Sequence, residues 1–135
     1  MRSEDLNYLK LLNTITNMGN YGNPGDIEQL LSHAKSKCPG DLEGQGKYLQ
    51  IATQLIKRDY GSEVKVAKCD WNDYEVVCTM FPSGGYAYVI WELYKYGSCM
   101  GVGLEKMDPN TNSLQLLFSS TSIVKTPILN DILSR

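Results

Sequence analysis

The sequence predicts an α+β fold, with helices first and an antiparallel sheet after them. Apolar residues recur at helical spacing as far as Tyr60, and beyond Gly61 the period falls to two. The connections between the period-two runs are short, which favours strands that meander antiparallel to one another. The expected architecture is three N-terminal helices, a roughly five-stranded antiparallel meander and a short C-terminal helix, with the helices packed on one sheet face. At 135 residues the chain has the length of a single domain, spanning residues 1–135, and can bury a core without help from metals or disulfides.

Each element has a local justification. Ser3 caps a first helix, with Glu4 and Asp5 in its opening turn, where the helix dipole favours negative charge. Its apolar stripe is Tyr8, Leu11, Leu12, Ile15 and Met18, and GNYGNPG at 19–25 ends it. Asp26 is the expected cap of a second helix, whose buried face is Ile27, Leu30, Leu31 and Ala34. Asp41 caps a third, running to Tyr60 on Leu49, Ala52 and Ile56, with Tyr48, Ile51 and Leu55 beside that row. Gly44 and Gly46 weaken its start, each by roughly 1 kcal/mol against alanine. Strands are expected near 63–69, 74–80, 86–95, 99–106 and 113–119, joined at 70–73, 81–85, 96–98 and MDPNTN. Thr126 is the expected cap of a last short helix to Leu133, with Pro127 at its first helical position.

Composition narrows the function. Thirteen Lys and Arg face fifteen Asp and Glu, for a net charge of −2, and the densest basic step is Lys57-Arg58. Nucleic-acid binding calls for a clustered positive face, so it is disfavoured. The longest apolar run, Tyr86 to Trp91, is far below the roughly twenty residues of a membrane-spanning helix. MRSEDLNYLK has no basic segment leading into an apolar stretch, so a cytoplasmic protein is expected, or a periplasmic or extracellular one if the chain is a mature form.

The stretch CDWNDYEVVC at 69–78 brings two cysteines around an acidic, aromatic turn. With 70–73 as the turn, Cys69 lies opposite Tyr74 and Cys78 opposite Lys65, four ladder positions apart. At about 3.4 Å per residue that exceeds ~10 Å, too far for a disulfide, which needs Cα atoms within about 7 Å. The stretch is therefore read as a hairpin with two buried thiols. Cys38 and Cys99 fall in expected loops, and four cysteines still permit three pairings. With His33 the sole histidine and no CxxC, a zinc site is not expected, nor any cofactor.

The tyrosine-rich strand YAYVIWELYKY is apolar on both faces, as a central strand is. Ala87, Val89, Trp91, Leu93 and Lys95 point one way, and Gly101 and Gly103 come opposite Leu93 and Trp91. Glu75 and Glu105 are placed on the Trp91 face, which its charges should keep partly open; Val76, Cys78, Met80, Val102 and Leu104 are placed on the helix-covered one. Trp71 sits at the hairpin tip, where it either anchors a partner or folds back on the neighbouring sheet or helix edge. Trp71, Trp91, Lys95, Glu75 and Glu105 are thus the candidate partner-binding residues, with the indoles as anchors and the charges as orienters.

Catalytic constellations are weak. His33 and Cys38 are five residues apart at a helix end, a poor arrangement for a thiol and its base, although Lys37 adds positive charge nearby. GQG at 44–46 and GVG at 101–103 do not extend into a phosphate-binding pattern. Glu75 with Glu105 could in principle form an acid–base pair of the glycosidase kind, but nothing else in the sequence resembles a sugar cleft. The reading is a small, non-catalytic protein-binding module of the inhibitor, immunity or adaptor kind, its partner another protein. Two rivals stand beside it: an exported domain of a bacterial envelope or secretion assembly stapled by disulfides, and a small enzyme using Cys38 or the glutamates.

Overall fold

The computed structural model describes residues 24–60, 64–83 and 85–134. Two helices, α1 (Pro24–Lys37) and α2 (Leu42–Tyr60), precede five strands, and α3 (Ile128–Leu133) follows them. The strands are β1 (Lys65–Trp71), β2 (Tyr74–Ser83), β3 (Tyr86–Lys95), β4 (Ser98–Asp108) and β5 (Ser113–Ser119). They form one antiparallel sheet in sequence order, so the molecule is α+β. The first helix expected from the sequence, at 3–18, lies outside the described residues.

The helices do not share one face. α1 and α2 cover Phe81, Tyr88, Ile90, Val102, Leu104 and Phe118 with Ile27, Leu31, Ala34, Leu49 and Ile56. The opposite face carries Ala67, Cys69, Val76, Cys78, Met80, Val89, Trp91 and Leu93, and α3 closes over it with Ile128, Leu129 and Ile132. β3 is apolar on both sides because it is buried on both sides. The sequence pattern shows that burial without saying what supplies the second cover.

Local chemistry sets the boundaries. Asp41 accepts the backbone N–H of Gly44 at 3.0 Å, the cap expected at the start of α2. α1 begins at Pro24, two residues before its expected cap, so Asp26 falls within its first turn. Gly46 weakens α2 locally but lets it approach the chain after β5: a Cβ there would come within 2.7 Å of the Ser120 Cβ. α1 is tied to the sheet by Glu28, which accepts the Tyr88 hydroxyl at 3.3 Å and lies 3.8 Å from the Lys106 ammonium.

Three register details differ from expectation. The β1–β2 turn is Asn72-Asp73 alone, so Cys69 faces Val76 and Cys78 faces Ala67. β2 continues through Phe81-Pro82-Ser83, because Phe81 and Pro82 are buried, and Ser83 pairs Tyr86. That moves Glu75 from opposite Trp91 to opposite Tyr94, an odd shift that transfers it to the other face. Val76, Cys78 and Met80 therefore share the face of Trp91, while Val102 and Leu104 lie beneath α1 and α2. Finally, the β3–β4 turn is Tyr96-Gly97, shorter by one than expected. A bulge at Met100 restores the register, so Gly101 and Gly103 do face Leu93 and Trp91. All four cysteines are thiols, with no disulfide among the described residues. No helix among those residues is long and apolar enough to cross a membrane.

Candidate functional site

The five residues singled out from the sequence divide between two places. Trp91 and Glu105 are fully buried and Trp71 is 8 % exposed, all on the face closed by α3. The open face expected around Trp91 is therefore closed. Gly103 is what admits the indole, since a Cβ there would overlap the atoms of the Trp91 ring. The indole Nε1 of Trp91 donates to Glu105 Oε2 at 2.8 Å. The backbone N–H groups of Ile128 and Leu129 donate to the same carboxyl, at 2.8 and 3.3 Å. Glu105 thus caps α3 from inside the core, a role expected of Thr126; the N-cap position is Pro127, with no side-chain cap bond of its own. Burial pushes the Glu105 carboxyl up to about 7, against the pull of these three donors. Trp71 ends β1 and folds back onto α3, its Nε1 donating to Asp131 Oδ2 at 2.9 Å.

Glu75 and Lys95 are brought together elsewhere. They line an open cleft of about 720 Å³ at the end of the sheet, between the β1–β2 and β3–β4 hairpin tips. This volume is within the range of ligand sites, ~300–1,000 Å³. Asp70, Asn72 and Asp73 supply one wall, and Tyr94, Lys95, Tyr96 and Gly97 the other, with Tyr74, Glu75 and Val77 between them. Glu75 and Glu105 occupy opposite faces of the sheet, so they form no acid–base pair.

Helix α2 fixes the Tyr94 wall. Gln50 donates to Glu92 Oε2 at 2.7 Å, and the Tyr94 hydroxyl donates to the same oxygen at 2.7 Å. Burial, reinforced by the Glu92 carboxylate, pushes the Tyr94 phenol up to about 12. The phenol therefore stays a proton donor, and the ring is held in one orientation.

Tyr96 is different in kind. It is 96 % exposed and occupies the left-handed region, with φ of 52°. Gly97 follows at 78°, so both central residues of this hairpin turn have positive φ. That geometry favours Asn-Gly or Asp-Gly, because a bulky side chain in the left-handed region crowds its own backbone, by roughly 1–2 kcal/mol. The Lys95 ammonium lies 5.3 Å from the Tyr74 ring centre and 5.8 Å from that of Tyr96. Sequence reasoning misses Tyr96; its one signal is a Tyr-Gly step where a two-residue hairpin calls for Asn-Gly.

The remaining chemical candidates stay apart. His33 is exposed on α1, and Cys38 is half-buried after it. Burial raises the Cys99 thiol above its ordinary value, the direction opposite to an activated thiolate. No group of three or more His, Cys, Asp or Glu side chains among the described residues is arranged to hold a metal ion. Compared with family models, curated proteins and solved structures, the chain finds no match.

Proposed function

We propose that this chain is a small, non-catalytic protein-binding module that docks its partner in the cleft between the hairpin tips. The observation that carries the reading is Tyr96. An aromatic ring at a surface tip buries nothing in the fold, and its left-handed backbone costs stability that asparagine would spare. Such a residue is explained by what it touches outside the chain. Tyrosine suits this use, since its flat amphipathic ring gives contact area at low conformational cost.

The neighbouring groups support the same use. Tyr94 presents a ring oriented from behind by Gln50 and Glu92, and Glu75 and Lys95 add charges that set a partner's register. Trp71 and Trp91 serve this reading as core, holding the strands that carry the cleft. The binding role moves to Glu75, Lys95 and the tyrosines.

The test is a photo-crosslinker. Tyr96→p-benzoylphenylalanine is expected to form an adduct with a partner protein on irradiation in an extract of the source cells. The control position, Leu42, is 54 % exposed at the start of α2 and outside the cleft lining. An adduct specific to position 96 supports the docking site. No adduct, or the same adducts from both positions, overturns it.

A further inference from the structure

We infer that the outer face of α2 is the seat of the chain's own N-terminal segment, whose apolar stripe from Tyr8 to Met18 packs on the row Tyr48, Ile51 and Leu55. This face lies outside the lining of the cleft, so the inference stands or falls independently of the docking reading.

Two apolar surfaces of one chain motivate it. Tyr48, Ile51 and Leu55 fall at i, i+3 and i+7 of α2, so they form one row along the helix. Beside it runs the buried row Leu49, Ala52 and Ile56. Tyr48 packs partly against the core beneath α1 and α2, whereas Ile51 is 68 % exposed and Leu55 49 %. A single exposed leucine is ordinary, but two large aliphatic side chains one turn apart and continuous with the core make a patch. The second surface is the sequence stripe: Tyr8, Leu11, Leu12, Ile15 and Met18 recur at helical spacing. Packing of such a face supplies most of a helix's stability, so the stripe needs a surface to meet.

Length and connectivity bring the two together. α1 and α2 are joined by the short connection at 38–41 and so run antiparallel. The 14 residues of α1, at about 1.5 Å each, carry its start back by ~21 Å, level with Leu55 and Ile56. Ile27 and Ile56 accordingly share one core cluster. Residues 1–23 therefore join the described chain, at Pro24, beside the exposed row. Residues 19–23 reach at most about 18 Å, and packed helices stand ~8–10 Å apart, so Met18 can lie against Leu55. From there the stripe runs about 15 Å back to Tyr8, enough to cover the row, which is about 10 Å long. A tethered segment also acts at millimolar effective concentration, an advantage over any free partner. A second copy is the poorer occupant, because three side chains fall far short of the roughly 20–30 residues a side of a stable interface.

The experiment is methyl NOE spectroscopy on the full chain with labelled Ile, Leu and Met. Cross-peaks are expected from Leu11 and Ile15 to Ile51 and Leu55. Leu11→Glu with Ile15→Glu should abolish them and shift the Ile51 and Leu55 methyl signals, while Ile128 and Ile132, in the core on the other sheet face, stay in place. Ile51→Glu should speed amide hydrogen exchange at residues 8–18 roughly tenfold, the weight of one buried aliphatic side chain. In a mixture of labelled and unlabelled chains, filtered spectra should show no cross-peaks between copies. Cross-peaks between copies would overturn the intrachain seat and make this face a contact between two chains. Absence of any cross-peak from the stripe to Ile51 or Leu55, or exchange at 8–18 unchanged by Ile51→Glu, overturns the inference.

Discussion

Glu105→Ala is expected to lose roughly 3–5 kcal/mol of stability at mildly acidic pH, and to loosen α3 from the sheet. The carboxyl has no exposed surface and satisfies three donors at once: the indole of Trp91 and the first two N–H groups of α3. A buried donor left without a partner costs about 1–3 kcal/mol. Alanine supplies no acceptor, and the short helix has no other cap. Urea unfolding at pH 5 gives the total, and hydrogen exchange at residues 128–133 locates the loss.

The same carboxyl makes stability depend on pH. Its folded value, about 7, lies above the ordinary 4.5, so between those values the folded chain holds a proton that the unfolded chain releases. Stability is then fully present below pH 4.5 and is lost as pH rises through 7. A shift of this size corresponds to a contribution on the order of 3 kcal/mol. Glu105→Gln keeps one acceptor oxygen and cannot ionise, so its stability profile from pH 5 to 8 should be flatter than that of the wild type. Parallel profiles for the two proteins would show that the carboxylate is already ionised at pH 5.

Trp91→Ala is the second large effect, about 3–5 kcal/mol. The indole is fully buried, rests against Gly103 and completes the Glu105 cluster, so its removal leaves a cavity and deprives the carboxyl of a donor. Trp71→Ala should cost less. Its indole closes the strand end, with one bond to Asp131. Chemical denaturation separates the two, and near-ultraviolet circular dichroism should lose more signal for Trp91. A Trp91→Ala protein as stable as the wild type would contradict the closed face.

How much of this is legible in the sequence depends on where the information sits. β3 and β5 match the expected bounds, since their period-two runs end at turn residues on both sides. Asp41 is legible as a cap, and so is the pairing of Gly103 with Trp91, because the bulge at Met100 cancels the deviation in turn length. The misplacement of Glu75 comes from Pro82: Phe-Pro-Ser-Gly-Gly reads as a loop, but buried Phe81 and Pro82 carry β2 three residues further. Glu105 reads as a rim charge because its partners Ile128 and Leu129 lie 23 and 24 residues away, and no local pattern announces them. Tyr96 is hidden for another reason. Turn rules describe what the backbone prefers, and a residue kept against that preference is visible only once its φ and exposure are known.

The most direct measurement is therefore Tyr96→Asn, with stability and binding read on the same protein. Asparagine tolerates the left-handed turn. The substitution removes only an exposed cation–π pair with Lys95 at 5.8 Å, worth about 0.5–1 kcal/mol at most. Urea unfolding should show stability equal to that of the wild type or higher, by up to about 1 kcal/mol, while capture of the partner identified by crosslinking at position 96 is abolished. A variant destabilised by more than about 1 kcal/mol would make Tyr96 a folding residue. One that is equally stable and still binds its partner would remove the hairpin tips from the interface.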